Sequence, residues 1–66
     1  MNITINGEEL DVAEDLTVAE LVELRFGGRS GIAIAVDGEV APRSGWSQQR
    51  LISGAAVEVL TAVQGG

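Results

Sequence analysis

The sequence has no cysteine, no histidine, no lysine and no tyrosine, and a single proline, tryptophan and phenylalanine among 66 residues. Without cysteine it can form no disulfide, thiolate metal site or thiol nucleophile, so any sulfur it handles must come from elsewhere. Without histidine, lysine and tyrosine, the usual general bases and Schiff-base formers are gone, leaving carboxylates and scattered hydroxyls. That argues against an autonomous enzyme, and no metal or bound cofactor is expected of the chain itself. Positive charge is scarce too: four arginines face ten acids, for a net charge of −6. This balance disfavours nucleic acid and anionic membranes and favours a partner with a basic docking surface. No apolar run reaches membrane-spanning length, and the N-terminus lacks a basic-then-apolar signal pattern. A cytoplasmic protein is the expectation.

Hydrophobic residues make up 45% of the chain, which argues for a folded domain. A chain of this length buries only about 60% of its unfolded surface. One domain over 1–66, with one small core and no room for a deep pocket, is therefore expected.

The pattern opens as a hairpin. Ile3 and Ile5 alternate with Asn2 and Thr4, Asn6-Gly7 supplies the positive-φ pair of a type I′ turn, and Leu10 and Val12 alternate with Glu9 and Asp11 on the return. Thr17-Val18-Ala19-Glu20 then fits a capping box. At 100° per residue, Val18, Leu21, Val22 and Phe26 share one arc, with Leu24 at its flank and Glu20 and Glu23 opposite. Gly27-Gly28 reads as a left-handed helix stop. Ile32 to Val36 is uncharged on both faces, which predicts an interior strand. Asp37-Gly38 turns the chain into a short strand, Glu39 to Ala41, which Pro42 ends. Arg43 to Ala55 is the least regular part. In it, Trp46 is expected to plug the core from the side, with Leu51 and Ile52 tacking the loop down. Ala56 to Ala62 is the last strand, with Val57, Val59 and Thr61 on one face and Glu58, Leu60 and Ala62 on the other. This order predicts an α+β, β-grasp architecture: a mixed sheet of about five strands, one helix across one face, and the first and last strands parallel at the centre.

The last residues, Val63-Gln64-Gly65-Gly66, follow that strand directly. Gly-Gly has no Cβ, so its backbone can thread a channel too narrow for any side chain. As a flexible tail, 63–66 would reach roughly 13 Å. The carboxylate of Gly66 would be ionised at neutral pH and a poor electrophile until activated. Adenylation by ATP is the chemistry that supplies a leaving group.

Several segments together resemble a known family: Ile3-Thr4-Ile5-Asn6-Gly7-Glu8, Thr17-Val18-Ala19-Glu20-Leu21, Ile34-Ala35-Val36-Asp37-Gly38, Pro42-Arg43 with Trp46, and Val57 through Gly66. The sequence is similar over its whole length to the ThiS family, the ubiquitin-like sulfur carriers of thiamine-thiazole biosynthesis. One departure is Gly54-Ala55-Ala56, where similar proteins carry Gly-Asp; a polar turn residue is lost. The resemblance implies that a ThiF-like adenylyltransferase joins the Gly66 carboxylate to AMP using Mg-ATP. A persulfide fed by a cysteine desulfurase then leaves a thiocarboxylate, and a ThiG-like thiazole synthase takes the sulfur. In that scheme Gly65 permits threading, and Val63 and Gln64 offer contacts in the partner's site. A partner patch of Ala33, Ala35, Leu60 and Ala62 is expected on the sheet face away from the helix. The competing readings are a sulfur carrier for molybdopterin or cysteine synthesis, a protein modifier joined by isopeptide bonds, and a binding module with an inert tail. A monomer is expected when free.

Overall fold

The computed structural model describes residues 1–27 and 31–61. Five strands and one α-helix follow in order: β1 (Asn2–Ile5), β2 (Glu8–Asp11), α1 (Val18–Phe26), β3 (Ile32–Val36), β4 (Glu39–Ala41) and β5 (Ala56–Thr61). A short 3-10 turn, Arg43–Gly45, precedes the last strand. The sheet order is β2-β1-β5-β3-β4. β1 and β5 are parallel, with Thr4 opposite Ala56 and Ile5 opposite Val57; the other neighbours are antiparallel. The fold is a β-grasp, with the first and last strands side by side and β3 in the interior, as the pattern requires.

Local chemistry explains the elements. Asn6 and Gly7 both sit at positive φ (50° and 87°), so β1 and β2 close through the primed turn whose twist matches paired strands. At the open end of that hairpin the Met1 ammonium donates to the Val12 carbonyl and lies 3.3 Å from an Asp11 carboxylate oxygen. The helix starts with a complete capping box: the Glu20 amide donates to Thr17 Oγ1 at 3.1 Å, and the Thr17 amide donates to Glu20 Oε1 at 2.9 Å. It stops at Gly27, whose φ of 63° is left-handed and whose amide donates to the Glu23 carbonyl.

One face of the sheet packs under α1. Ile3, Ile5, Ile32, Ile34, Val57 and Val59 share a single core with Val18, Leu21 and Val22 of the helix. Ile3, Leu21, Ile34, Val18 and Val57 are the largest fully buried side chains, each contributing about 1.5–3 kcal/mol by leaving water.

The irregular segment 43–55 is more ordered than its composition suggests. Its carbonyls satisfy the first helical amides: Val18 donates to Gln49 at 2.9 Å and Ala19 to Trp46 at 3.1 Å. Thr17 and Arg50 form an isolated antiparallel bridge, and the Leu51 amide donates to the Leu16 carbonyl. Trp46 is 7% exposed, and its indole Nε1 donates to the Ala41 carbonyl at 2.7 Å, so it is a core residue. Leu51 is buried, but Ile52 is 68% exposed and does not tack the loop down. Ile52 opens the turn in which Ala55 donates back to the Ile52 carbonyl, and that turn carries its side chain to solvent. The turn closes without the missing aspartate: Gly54 takes φ 87° and donates to Asn2, while Ala55 is 1% exposed. A small apolar side chain therefore fills a buried position there. No helix among the described residues is long and apolar enough to cross a membrane.

Candidate functional site

The site is built on β5, the sheet's central strand. It pairs on one side with β1 and on the other with β3 over Ile32↔Thr61 to Val36↔Val57. Two turn side chains tighten this seating. Asn6 Oδ1 accepts from the Val59 amide at 2.8 Å, and Asn6 Nδ2 donates to the Val59 carbonyl at 3.3 Å. The Asn6 amide side chain thus copies a backbone pair and prolongs the β1–β5 ladder beyond Ile5. On the other flank, Asp37 Oδ1 accepts from the Ala56 amide at 2.9 Å, and the Asp37 amide donates to the Ala56 carbonyl at 2.8 Å. Both turns were legible as turns; nothing in the pattern showed that their polar side chains grip the last strand.

Alternation along β5 sends Val57 and Val59 into the core and Glu58 and Leu60 to the far side. The register places Ala33 directly opposite Leu60, and Ala35 between Glu58 and Val40. Ala33 is exposed, Ala35 half-buried and Leu60 71% exposed. The three expected patch residues within the described chain therefore lie together on the face away from α1. The register adds one the sequence reading missed: Val40, 77% exposed, extends the apolar surface to the edge strand. Its face could be assigned only once the β3–β4 pairing was known. Across β5, register with Ile3 and Ile5 puts Thr4, Glu9 and Asp11 on the same face of the hairpin half. One face thus carries Ala33, Ala35, Val40 and Leu60 on one half, bordered by Glu58, and the Glu9 and Asp11 carboxylates on the hairpin half. Ala62, Val63, Gln64, Gly65 and Gly66 lie outside the described residues.

The helix side presents a different surface. An open concavity of about 370 Å³ is lined by Leu16, Ala19, Glu20, Glu23 and Leu24. It shares no residue with the outer face and holds no nucleophile stronger than a carboxylate. Glu20 lies below the ordinary carboxylate value because the Thr17 backbone amide, then the Thr17 hydroxyl, donates to it, with the Arg50 charge adding to the effect. Its task there is to cap the helix. Among the described residues, no group of three or more His, Cys, Asp or Glu side chains is placed to hold a metal ion.

The model of the ThiS family matches residues 2–66, nearly the whole chain. The chain belongs to the ThiS family. Among ThiS relatives, the sulfur carrier protein ThiS of Escherichia coli is 29% identical over 66 residues, covering 100% of both chains. The crystal structure of the thiamine biosynthesis protein ThiS from Geobacter metallireducens superposes with a TM-score of 0.85 at 35% identity, again covering 100% of both chains. A solution NMR structure of a thiamine biosynthesis protein from the same organism gives a TM-score of 0.78 at 35% identity, covering 100% of this chain and 88% of the other. ThiS membership agrees with the β-grasp topology derived above from turns, caps and register.

Proposed function

We propose that this chain is a sulfur carrier of thiamine-thiazole biosynthesis and that the transferred atom rides on the carboxyl group of Gly66. A ThiF-like adenylyltransferase activates that carboxylate with Mg-ATP, releasing pyrophosphate. The terminal sulfur of a persulfide, supplied through a cysteine desulfurase, attacks the acyl carbon, and AMP leaves. That forms an acyl C–S bond and leaves the persulfide's own S–S bond in an acyl disulfide. A thiol then cleaves that S–S bond, giving a disulfide and the thiocarboxylate, which a ThiG-like thiazole synthase consumes. The chain is a recyclable co-substrate in this scheme, and the partners bring the ATP, the magnesium and the catalytic groups.

One observation supports this reading above others. The final Ala-Val-Gln-Gly-Gly follows without a linker from the central strand, which is paired on both sides. The strand that leads to this end is held in the sheet, and two residues without side chains suit the end to a narrow active-site channel. Ala33, Ala35, Leu60 and Val40, on the face away from α1, form the docking face. The carboxylates on the hairpin half favour a partner with basic groups at the corresponding place.

The test is the intact mass of the chain after incubation with ATP, a persulfide source and the adenylating enzyme. The expected product gains the difference between one sulfur and one oxygen, localised to Gly66, and deleting Gly66 abolishes the gain. An unmodified chain under conditions that modify the Escherichia coli relative would overturn the proposal. Recovery only as amide-linked conjugates would establish a protein modifier instead.

A further inference from the structure

The Pro42-Arg43-x-x-Trp46 segment has a geometry that the scheme above leaves unused. Trp46 is a rigid platform, buried and pinned by its indole hydrogen bond to Ala41. The Arg43 guanidinium carbon lies 5.1 Å from the centre of that ring, within cation–π range. The contact favours one placement of the side chain over the ring, while the residue stays exposed.

The other described arginines have internal tasks. Arg25 stands in the last helical turn, where a cation complements the helix dipole. The charge of Arg50 acts on Glu20. None of the three described arginines forms an ion pair among the described residues, and of them Arg43 is the one stacked on an aromatic ring. A guanidinium stacked on a ring and without a carboxylate of its own among the described residues is suited to one supplied from outside.

Its place in the sheet matters. β3 pairs Ile32 with Thr61 and Ile34 with Ala41, so the extended chain after Ala41 runs towards the end where β5 finishes. Two strand spacings separate β4 from β5, about 10 Å. Arg43 thus begins its turn at the same end of the sheet as Thr61.

We propose that Arg43, stacked on Trp46, is a docking cation that pairs with a carboxylate on the adenylating enzyme beside the entrance for the tail. The inference rests on the sulfur-carrier reading. Paired with the acidic hairpin half of the sheet, it gives this chain a two-point charge pattern. A partner meets the pattern only when the tail end faces the active site.

The experiment uses the full chain and the adenylating enzyme, with the dissociation constant measured across a series of salt concentrations for the wild type, Arg43→Gln, Arg43→Lys and Arg43→Glu. We expect Arg43→Gln to weaken binding about tenfold at low salt, mostly through the on-rate, and Arg43→Glu to weaken it further. Arg43→Lys should fall between wild type and glutamine, since it keeps charge but not the planar fork. Unchanged urea midpoints show that folding is intact. If Arg43→Gln and Arg43→Glu both bind as wild type with the same salt dependence, the inference is wrong. The mass assay, run in parallel on wild type, separates the two ideas. A modified wild type with unaffected Arg43 variants sinks only the docking cation, whereas an unmodified wild type sinks the carrier reading.

Discussion

Replacing Trp46 by phenylalanine tests whether this side chain is structural, because the change keeps an aromatic ring and removes the N–H. The Ala41 carbonyl loses the donor that lies 2.7 Å away. Leaving a buried acceptor without its partner costs about 1–3 kcal/mol. The smaller ring also leaves a void beside Ala41, worth roughly a further 1 kcal/mol. The sum, about 2–4 kcal/mol, is large for a domain whose whole stability is on the order of 3–10 kcal/mol by length. At about 4–8 °C per kcal/mol for a domain this small, Tm should fall by roughly 8–32 °C. Urea unfolding followed by far-ultraviolet circular dichroism is the assay, since the substitution removes the fluorophore. The midpoint should drop while the m-value holds, because the exposed area on unfolding barely changes. A loss below about 0.5 kcal/mol, accompanied by weaker binding to the adenylating enzyme, would refute the reasoning and make Trp46 a contact residue.

Three further outcomes follow from described contacts. Asn6→Ala removes both bonds to Val59 and puts an alanine at φ 50°; it should cost about 2–4 kcal/mol, whereas Asn6→Asp, which keeps the acceptor for the Val59 amide, should cost less, as denaturation midpoints will show. Glu20 has its carboxyl lowered from 4.5, so its capping contribution is present above that value and is lost as pH falls through the lower folded value. Glu20→Gln should therefore flatten the acid limb of stability measured between neutral pH and pH values below 4.5. Leu60→Asp, on the exposed face, should leave stability within about 0.5 kcal/mol yet weaken binding to the adenylating enzyme; calorimetry giving wild-type affinity would remove the patch from the docking face.

Much of this fold could be read from side chains whose chemistry is local. Asn6-Gly7 and Asp37-Gly38 announce turns, Thr17 and Glu20 announce a helix start, and the charge-free alternation of β3 announces an interior strand. Arg43 to Ala55 resisted that reading because its order comes from backbone carbonyls that accept from helical amides, and backbone groups leave no trace in residue pattern. Ile52 was misplaced for a related reason: two adjacent apolar residues in a turn cannot both face inward, and only the fold shows which one does. On the candidate site, alternation sufficed for Leu60, Ala33 and Ala35. Val40 required a register, which is a relation between strands. The expectations for Gly66 and its neighbours came from composition and family resemblance, and they lie outside the described residues.

The parallel pairing of β1 and β5 also fixes how the domain bears load. A partner that draws the chain in beyond Thr61 pulls along the axis of β5, while the rest of the body is held back. The ladder bonds to β1 and β3 lie across that direction, so they are strained together in shear and cannot open one at a time. The Asn6 side chain adds a further crosswise tie at Val59. Traction on this end therefore loads the ladder in shear, and many bonds must give way together before the last strand parts from the body.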